Sequence, residues 1–216
     1  MHEARRNPIE IILVGGGGHA KVLYSIIRYD LNFKVIGYTD TKKKEYFSEL
    51  PYLGTDEFIF NSTVKNLVIG ISYGKNIFSN LRKKVIGLFN ESDYNFPNVF
   101  SKNSLISSEV NIKNGVQILH RAVINPDVEI GKFCIINTNA IVEHDVKLGD
   151  YVQVGPGSII LGETKIGNNC FIGSGAIVND GLKICDNVII GAGSVVTKNI
   201  TEKGVYVGIP ARRIRN

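Results

Sequence analysis

From Ile106 an apolar residue returns at every sixth position as far as Val196, and all sixteen of these positions are Ile, Leu or Val. The residue four places after each, running from Val110 through Cys134, Ser158 and Cys170 to Ile200, is in nearly every case small or β-branched. A period of six fits neither a helix nor a single alternating strand. It fits short strands joined by turns, each strand pointing one bulky residue inward. Three such strands close a triangular coil, so residues eighteen apart stack at about the 4.8 Å strand spacing and pair their backbones coil to coil. The pattern predicts a parallel β-helix over the second half of the chain. Gly131, Gly149, Asn168, Asn169 and Gly191 are read as corners that house positive φ.

Before residue 106 the periodicity changes. Ile9 to Val14 predicts a buried strand, the run Gly15 to Gly18 with His19 and Ala20 a glycine turn, and Val22, Leu23, Ile26 and Ile27 the apolar face of a helix. Lys34 to Tyr38 predicts a second strand, ending near Asp40. Leu67 to Ile69 predicts a third, followed by Gly70, Ser72 and Gly74 and by helical periodicity over Ile77 to Phe89. The expected fold class is an α/β half-Rossmann (βαβαβ) domain over 1–97, with Phe96-Pro97 as linker, followed by a β-helix domain with a C-terminal tail over 98–216. Gly15, Gly17 and Ala20 satisfy the GxGxxA spacing, and Asp40 falls where a ribose-binding acid belongs. The segment holds only half of a doubly wound domain, which argues against a nicotinamide oxidoreductase. It leaves a mononucleotide site on the two glycine turns at the carboxyl edge of the sheet, Gly70 included, or glycines that serve only tight strand–helix packing.

Charge and cysteine usage narrow the classes further. The net charge of +5 is spread along the chain apart from Lys42 to Lys44 and a tail of Arg212, Arg213 and Arg215, which argues against a nucleic-acid partner. The first apolar run is too short for a signal sequence, and no stretch reaches membrane-spanning length. Cys134, Cys170 and Cys185 lack metal-ligand spacing. Cys134 and Cys170 share a column two coils apart, about 9.6 Å, too far for a disulfide. The expected setting is reducing and cytoplasmic, with no metal.

Four histidines offer base chemistry. His2 lies at the terminus, His19 in the glycine turn, and His120 and His144 on different faces of the coil. Glu143-His144-Asp145 sets carboxylates beside an imidazole, which orients the ring and raises its basicity. Eighteen residues on stands Gly162, whose bare N–H suits an oxyanion donor over the ring. A solvated charged corner is the plainer alternative. Gly155, Gly173 and Gly191 form another column, read either as a side-chain-free groove for pantetheine or as turn formers.

Over nearly its whole length the sequence resembles the two-domain hexapeptide-repeat sugar O- and N-acyltransferases. These include sialic acid O-acetyltransferases and N-acetyltransferases of nucleotide-linked 4-amino-4,6-dideoxy sugars. The matching pieces are Gly15 to Ala20, the hexads, Glu143-His144-Asp145 and the closing Val207-Gly208-Ile209-Pro210-Ala211. The resemblance implies a left-handed coil, His144 as general base, Asp145 as the acid that strengthens it, and Gly162 at the oxyanion site. It implies acetyl-CoA as co-substrate between subunits of a homotrimer near Gln153, Ser174 and Ala192, with Gly191 in the same column system. It also implies a nucleotide-linked amino sugar on Gly17, Gly18, His19 and Asp40, for bacterial surface-glycan synthesis. Several relatives have a second His where this chain has Gln153. The expected activity is N-acetylation of the C4 amine. O-acetylation of sialic acid and a non-catalytic trimeric sugar-binding scaffold are the alternatives.

Overall fold

A computed structural model describes residues 8–29, 32–73, 81–89 and 91–215. The chain divides into the units Met1–Val99 and Phe100–Asn216. Phe96, expected in the linker, is buried, and Asn95 still pairs with Asn66, so this stretch belongs to the first unit's sheet.

In the first unit the apolar run forms β1 (Ile9–Val14), whose last four residues are fully buried. It pairs in parallel with β2 (Phe33–Thr39) on one side and β3 (Leu67–Ile69) on the other, in the order β2-β1-β3. Helix α1 (Gly18–Ile27) makes the first crossover and buries Ala20, Leu23, Ile26 and Ile27. The second crossover completes the expected βαβαβ order with a much shorter helix. Its only helix is the single turn α2 (Glu57–Phe60), and Tyr52 bridges to Tyr38 along the edge of β2. Helix α3 (Leu81–Ile86) follows β3. Gly74 and the start of the helix expected from Ile77 lie outside the described residues, as does His2. Because the chain leaves β1 toward β2 and later returns to its opposite side, the carboxyl ends of β1 and β3 flank a topological switch point, where open α/β sheets bind ligands.

The second unit is the predicted coil. Its strands stack in three sheets of eight, six and five strands, parallel except for the closing antiparallel pair Gly204–Val207 and Arg212–Arg215, with every neighbour eighteen residues away along the regular part. The first face carries Gln117–Ile118, Ile135–Ile136, Gln153–Val154, Phe171–Ile172 and Val188–Ile190. The second carries Ile141–Val142 and Ile159–Ile160, and the third Lys147–Leu148, Lys165–Ile166 and Lys183–Ile184. The hexad residues and those four places on make one continuous core, from Val116 to Ile200. Its polar members are satisfied inside. Ser158 donates to the carbonyls of Gly155 (2.7 Å) and Gly173 (2.9 Å), and Thr164 to that of Asn179 (2.9 Å). Each such bond is worth about 1 kcal/mol net, and leaving the group unpaired would cost about 1–3 kcal/mol. Cys134 and Cys170 point into the same core, and burial pushes the Cys170 thiol up to about 12, so neither is a reactive thiol.

The corners differ from the expectation. Positive φ recurs at every sixth residue from Gly115 to Gly193, fourteen positions of which nine are not glycine, Asp145 among them. Of the five residues read as positive-φ corners, only Asn169 is one. The non-glycine cost of about 1–2 kcal/mol is offset at eight of the nine, Asp127 excepted, by a regular bond from the N–H to a corner carbonyl of the coil below, as from Tyr151 to Lys132 (2.8 Å) and from Glu163 to His144 (3.0 Å). Gly131 and Gly149 are glycine for a different reason: a Cβ on either would strike the next coil at 2.5 and 2.7 Å.

Candidate active site

The β-helix places His144 and Asp145 at the corner between the second and third faces. His144 Nδ1 and Asp145 Oδ2 are 2.8 Å apart, with both side chains 56% exposed. The hydrogen bond to Asp145 raises the imidazole above the ordinary histidine value, against a smaller desolvation effect, and the charges of Asp145, Glu143 and Glu163 add to it. When Nδ1–H donates to Asp145, Nε2 is left as the acceptor. Glu143 is itself held by Asn125, whose amide donates to it at 2.7 Å. The eighteen-residue register brings Gly162 over the ring. A Cβ there would stand 2.7 Å from His144 Cε1 and 2.8 Å from Nε2, so only glycine lets the imidazole lie against the coil above. Among the described residues the Gly162 N–H donates to no protein acceptor. A base, its orienting acid and a spare backbone donor thus share one corner.

The other residues singled out on this unit lie elsewhere. Gln153 is on the first face and only 6% exposed, while Ser174 and Ala192 stack, exposed, at the corner after that face. One chain therefore does not bring them to His144. Packing by itself requires glycine at Gly155, Gly173 and Gly191. A Cβ on Gly173 would meet Ala192 N at 2.5 Å, and one on Gly191 would meet Val207 Cγ1 at 2.7 Å. The space these glycines leave is filled by the next coil or the closing strand.

In the first unit Gly17, Gly18, His19, Asp40 and Gly70 line one cavity of about 830 Å³ at the switch point, together with Thr55 to Glu57 and the apolar side chains of Phe60, Leu81, Val85 and Leu88. Asp40 clamps the glycine turn: one oxygen accepts the Gly16 N–H at 2.8 Å, and the other takes Lys44 at 3.0 Å and Thr41 at 3.1 Å. Partial burial pushes its carboxyl up, but the bonds to Lys44, Gly16 and Thr41 outweigh that and hold it below the ordinary carboxylate range. Gly70 is required by packing, since its Cβ would come within 2.7 Å of Gly15 O and 2.8 Å of Ala20 Cβ. Gly17 and Gly18 are not so required. Neither has positive φ, and a Cβ on either meets nothing within 4 Å. Their bareness faces the cavity at the N-terminus of α1, where backbone N–H groups and the helix dipole favour an anion. Lys44 and Phe60 escaped sequence reading because the second crossover has no periodicity to place them, whereas Leu81, Val85 and Leu88 lie in the stretch read as helical from its periodicity.

A Rossmann-like unit followed by a triangular β-helix, with a His–Asp pair under a bare glycine, defines a two-domain protein with an acyltransferase coil. Residues 10–87 match the PglD N-terminal domain family, and 130–162 and 163–198 match the bacterial transferase hexapeptide (six repeats) family. The chain belongs to the two-domain hexapeptide-repeat sugar acyltransferases, and its coil is the left-handed parallel β-helix of that family. The acetyltransferase domain of PglB from Neisseria gonorrhoeae FA1090, solved with acetyl coenzyme A, superposes with a TM-score of 0.87 at 22% identity, covering 96% of this chain and 100% of that one. PerB from Caulobacter crescentus, in complex with CoA and GDP-perosamine, gives 0.83 at 29% identity over 95% and 97%. WeeI from Acinetobacter baumannii AYE gives 0.80 at 26% over 94% and 99%. No curated protein matches the sequence significantly. Among the described residues, no cluster of His, Cys, Asp and Glu is arranged to hold a metal, and no helix is long and apolar enough to cross a membrane.

Proposed function

We propose that the protein transfers an acetyl group from acetyl-CoA to the C4 amine of a nucleotide-linked 4-amino-4,6-dideoxy sugar, within a homotrimer whose active sites lie between subunits. The observation that carries the chemistry is the His144–Asp145 pair lying against Gly162. As the amine nitrogen attacks the thioester carbonyl, His144 Nε2 accepts its proton. The oxygen that becomes negative is met by the Gly162 N–H. Collapse of the tetrahedral intermediate breaks the carbon–sulfur bond, and the proton held by His144 passes to the departing thiolate. PerB, which was solved with CoA and GDP-perosamine, supports this pairing of donor and acceptor. The reading carries a cytoplasmic location and a role in surface-glycan assembly with it. A screen of UDP-, dTDP- and GDP-linked 4-amino sugars with acetyl-CoA, followed by thiol release and with sialic acid as the hydroxyl acceptor, tests it. Release with sialic acid alone, or with none of the amines, refutes the proposal.

The nucleotide's phosphates rest on the bare turn at Gly17 and Gly18. Gly17→Ala is expected to leave the melting temperature unchanged, because its Cβ meets no protein atom, and to raise KM for the nucleotide sugar about tenfold, the equivalent of one lost contact. An unchanged KM removes the anion from this turn.

The trimer rests on the second face. Its outward column reads Leu105, Val123, Ile141, Ile159, Ile177 and Val195, apolar without a break, while the third face presents Glu129, Lys147, Lys165 and Lys183. Leu105 is 68% exposed and the other five are partly exposed. Such a continuous apolar stripe marks an interaction surface. Packing it on a second copy would also bring Gln153, Ser174 and Ala192 of one subunit toward His144 of another, which one chain alone does not do. Ile159→Lys points a charge out of this stripe and leaves the core untouched. It is expected to give folded monomers by light scattering and circular dichroism, with activity lost in parallel. Monomers of full activity would refute the shared site.

A further inference from the structure

Gly16 is held by both of its polar backbone atoms, and the side chains that hold it come from outside the glycine run. Asp40 Oδ2 accepts its N–H at 2.8 Å, and the Tyr46 hydroxyl donates to its carbonyl. Gly16 is buried, and a Cβ on it would stand 2.9 Å from Tyr38 Cε2 and 3.0 Å from Lys44 Cγ, so the residue has little room to turn. Tyr46 is exposed but anchored. Its neighbour Phe47 is buried against Tyr24 and Tyr38, with ring centres 5.8 and 4.8 Å away. The Lys44 N–H donates to the Tyr38 hydroxyl at 2.6 Å and ties down the same segment. From α1, Lys21 sets its ammonium 3.5 Å from the centre of the Tyr46 ring, a cation–π contact.

A trans peptide points its C=O and its N–H in opposite directions. The Gly16 carbonyl and the Gly17 N–H belong to one peptide, so the bond to Tyr46 sends the Gly17 N–H the other way. Tyr46 lines a hollow of about 280 Å³ with Lys21, Tyr24 and Phe47, whereas Gly17 and Gly18 line the cavity of about 830 Å³. Among the described residues neither the Gly17 nor the Gly18 N–H donates to a protein acceptor. We infer that Tyr46 is a positioning residue for the acceptor site: by holding the Gly16 carbonyl it aims the Gly17 N–H into the cavity, at the phosphates of the nucleotide sugar. This rests on those phosphates lying on the turn at Gly17 and Gly18. Without the hydroxyl the peptide between Gly16 and Gly17 loses the bond that sets its rotation, and glycine on both sides supplies no preference to replace it. Asp40 is no substitute, since a carboxylate only accepts and cannot hold a carbonyl.

Tyr46→Phe tests this, because it keeps the ring, its packing and the Lys21 contact and removes only the hydroxyl. UDP, dTDP and GDP are titrated calorimetrically into the native protein and the variant, and the amino sugar of the nucleotide that binds is then used in steady-state kinetics. The nucleotide is expected to bind Tyr46→Phe about tenfold more weakly, the equivalent of one lost contact. KM for the amino sugar should rise by the same factor, with kcat and KM for acetyl-CoA unchanged. The matching nucleoside, which carries no phosphate, should inhibit both proteins equally. Nucleotide affinity equal in the two proteins, even with a lowered melting temperature, overturns the inference and leaves the proposed function standing. So does an equal loss for nucleoside and nucleotide, which makes Tyr46 a support of the whole cavity. A native protein that binds none of the three nucleotides overturns the nucleotide-linked acceptor and this inference together.

Discussion

His144→Ala is expected to lower kcat for acetyl transfer by about 10²–10⁴, the range a positioned base contributes, with KM for both substrates and the melting temperature little changed. The side chain is 56% exposed and stands outside the core, so its removal leaves the coil intact. The pH profile separates a base from a mere contact. General-base work needs the neutral ring, so kcat/KM should rise with pH and level off above the pKa of His144, which lies above the ordinary histidine value because of the bond to Asp145. Asp145→Asn removes that support and should move the acid limb to lower pH while lowering the plateau, as a weaker and less well oriented base would. An unmoved limb in Asp145→Asn excludes the pairing from the mechanism. Full activity in His144→Ala excludes His144 as the base.

The coil was legible because its core is one-dimensional. One inward residue per strand at a fixed period leaves no alternative to stacking, and Ile118, Ile136, Val154 and Ile172 fall in one column by arithmetic alone. The same arithmetic set Gly162 over His144, and the observed approach of the ring to that backbone follows it. The glycines were harder to read, because glycine serves two physical needs. Gly175 and Gly193 take positive φ, whereas Gly155 and Gly173 make room for the next coil, and composition does not separate the two. The backbone meets the first need without glycine at Arg121, Phe133 and Asp145, since a bond to the coil below offsets the strain. What distinguishes the three faces was also present in the sequence, but at period eighteen and in the outward residues. The run of Val123, Ile141 and Ile159 against that of Glu129, Lys147 and Lys165 emerges only once the strands are sorted by face. In the first unit the strands were legible as apolar runs. Thr55, Asp56 and Phe60 were not, because an irregular crossover brings them to the cavity.

Gly162→Ala is expected to lower kcat by about 10²–10³ without unfolding the protein. The Cβ would stand 2.7 Å from Cε1 and 2.8 Å from Nε2 of His144. The atoms in its way belong to the end of an exposed side chain, so the ring gives way and the coil does not. The displaced ring loses its geometry toward both Asp145 and the reacting amine, and an ångström-scale misplacement of a catalytic group costs about 10²-fold. Masking of the Gly162 N–H adds the loss of an oxyanion donor, about 10²–10³ in kcat. The two losses share one cause, so they will not multiply. Gly173→Ala supplies the contrast. There the new Cβ meets backbone, Ala192 N at 2.5 Å and Gly191 C at 2.6 Å, so the coil must shift and the melting temperature should drop. If Gly162→Ala loses stability as Gly173→Ala does, Gly162 is a packing glycine. If it keeps both stability and kcat, the ring and the spare N–H are not the catalytic pair.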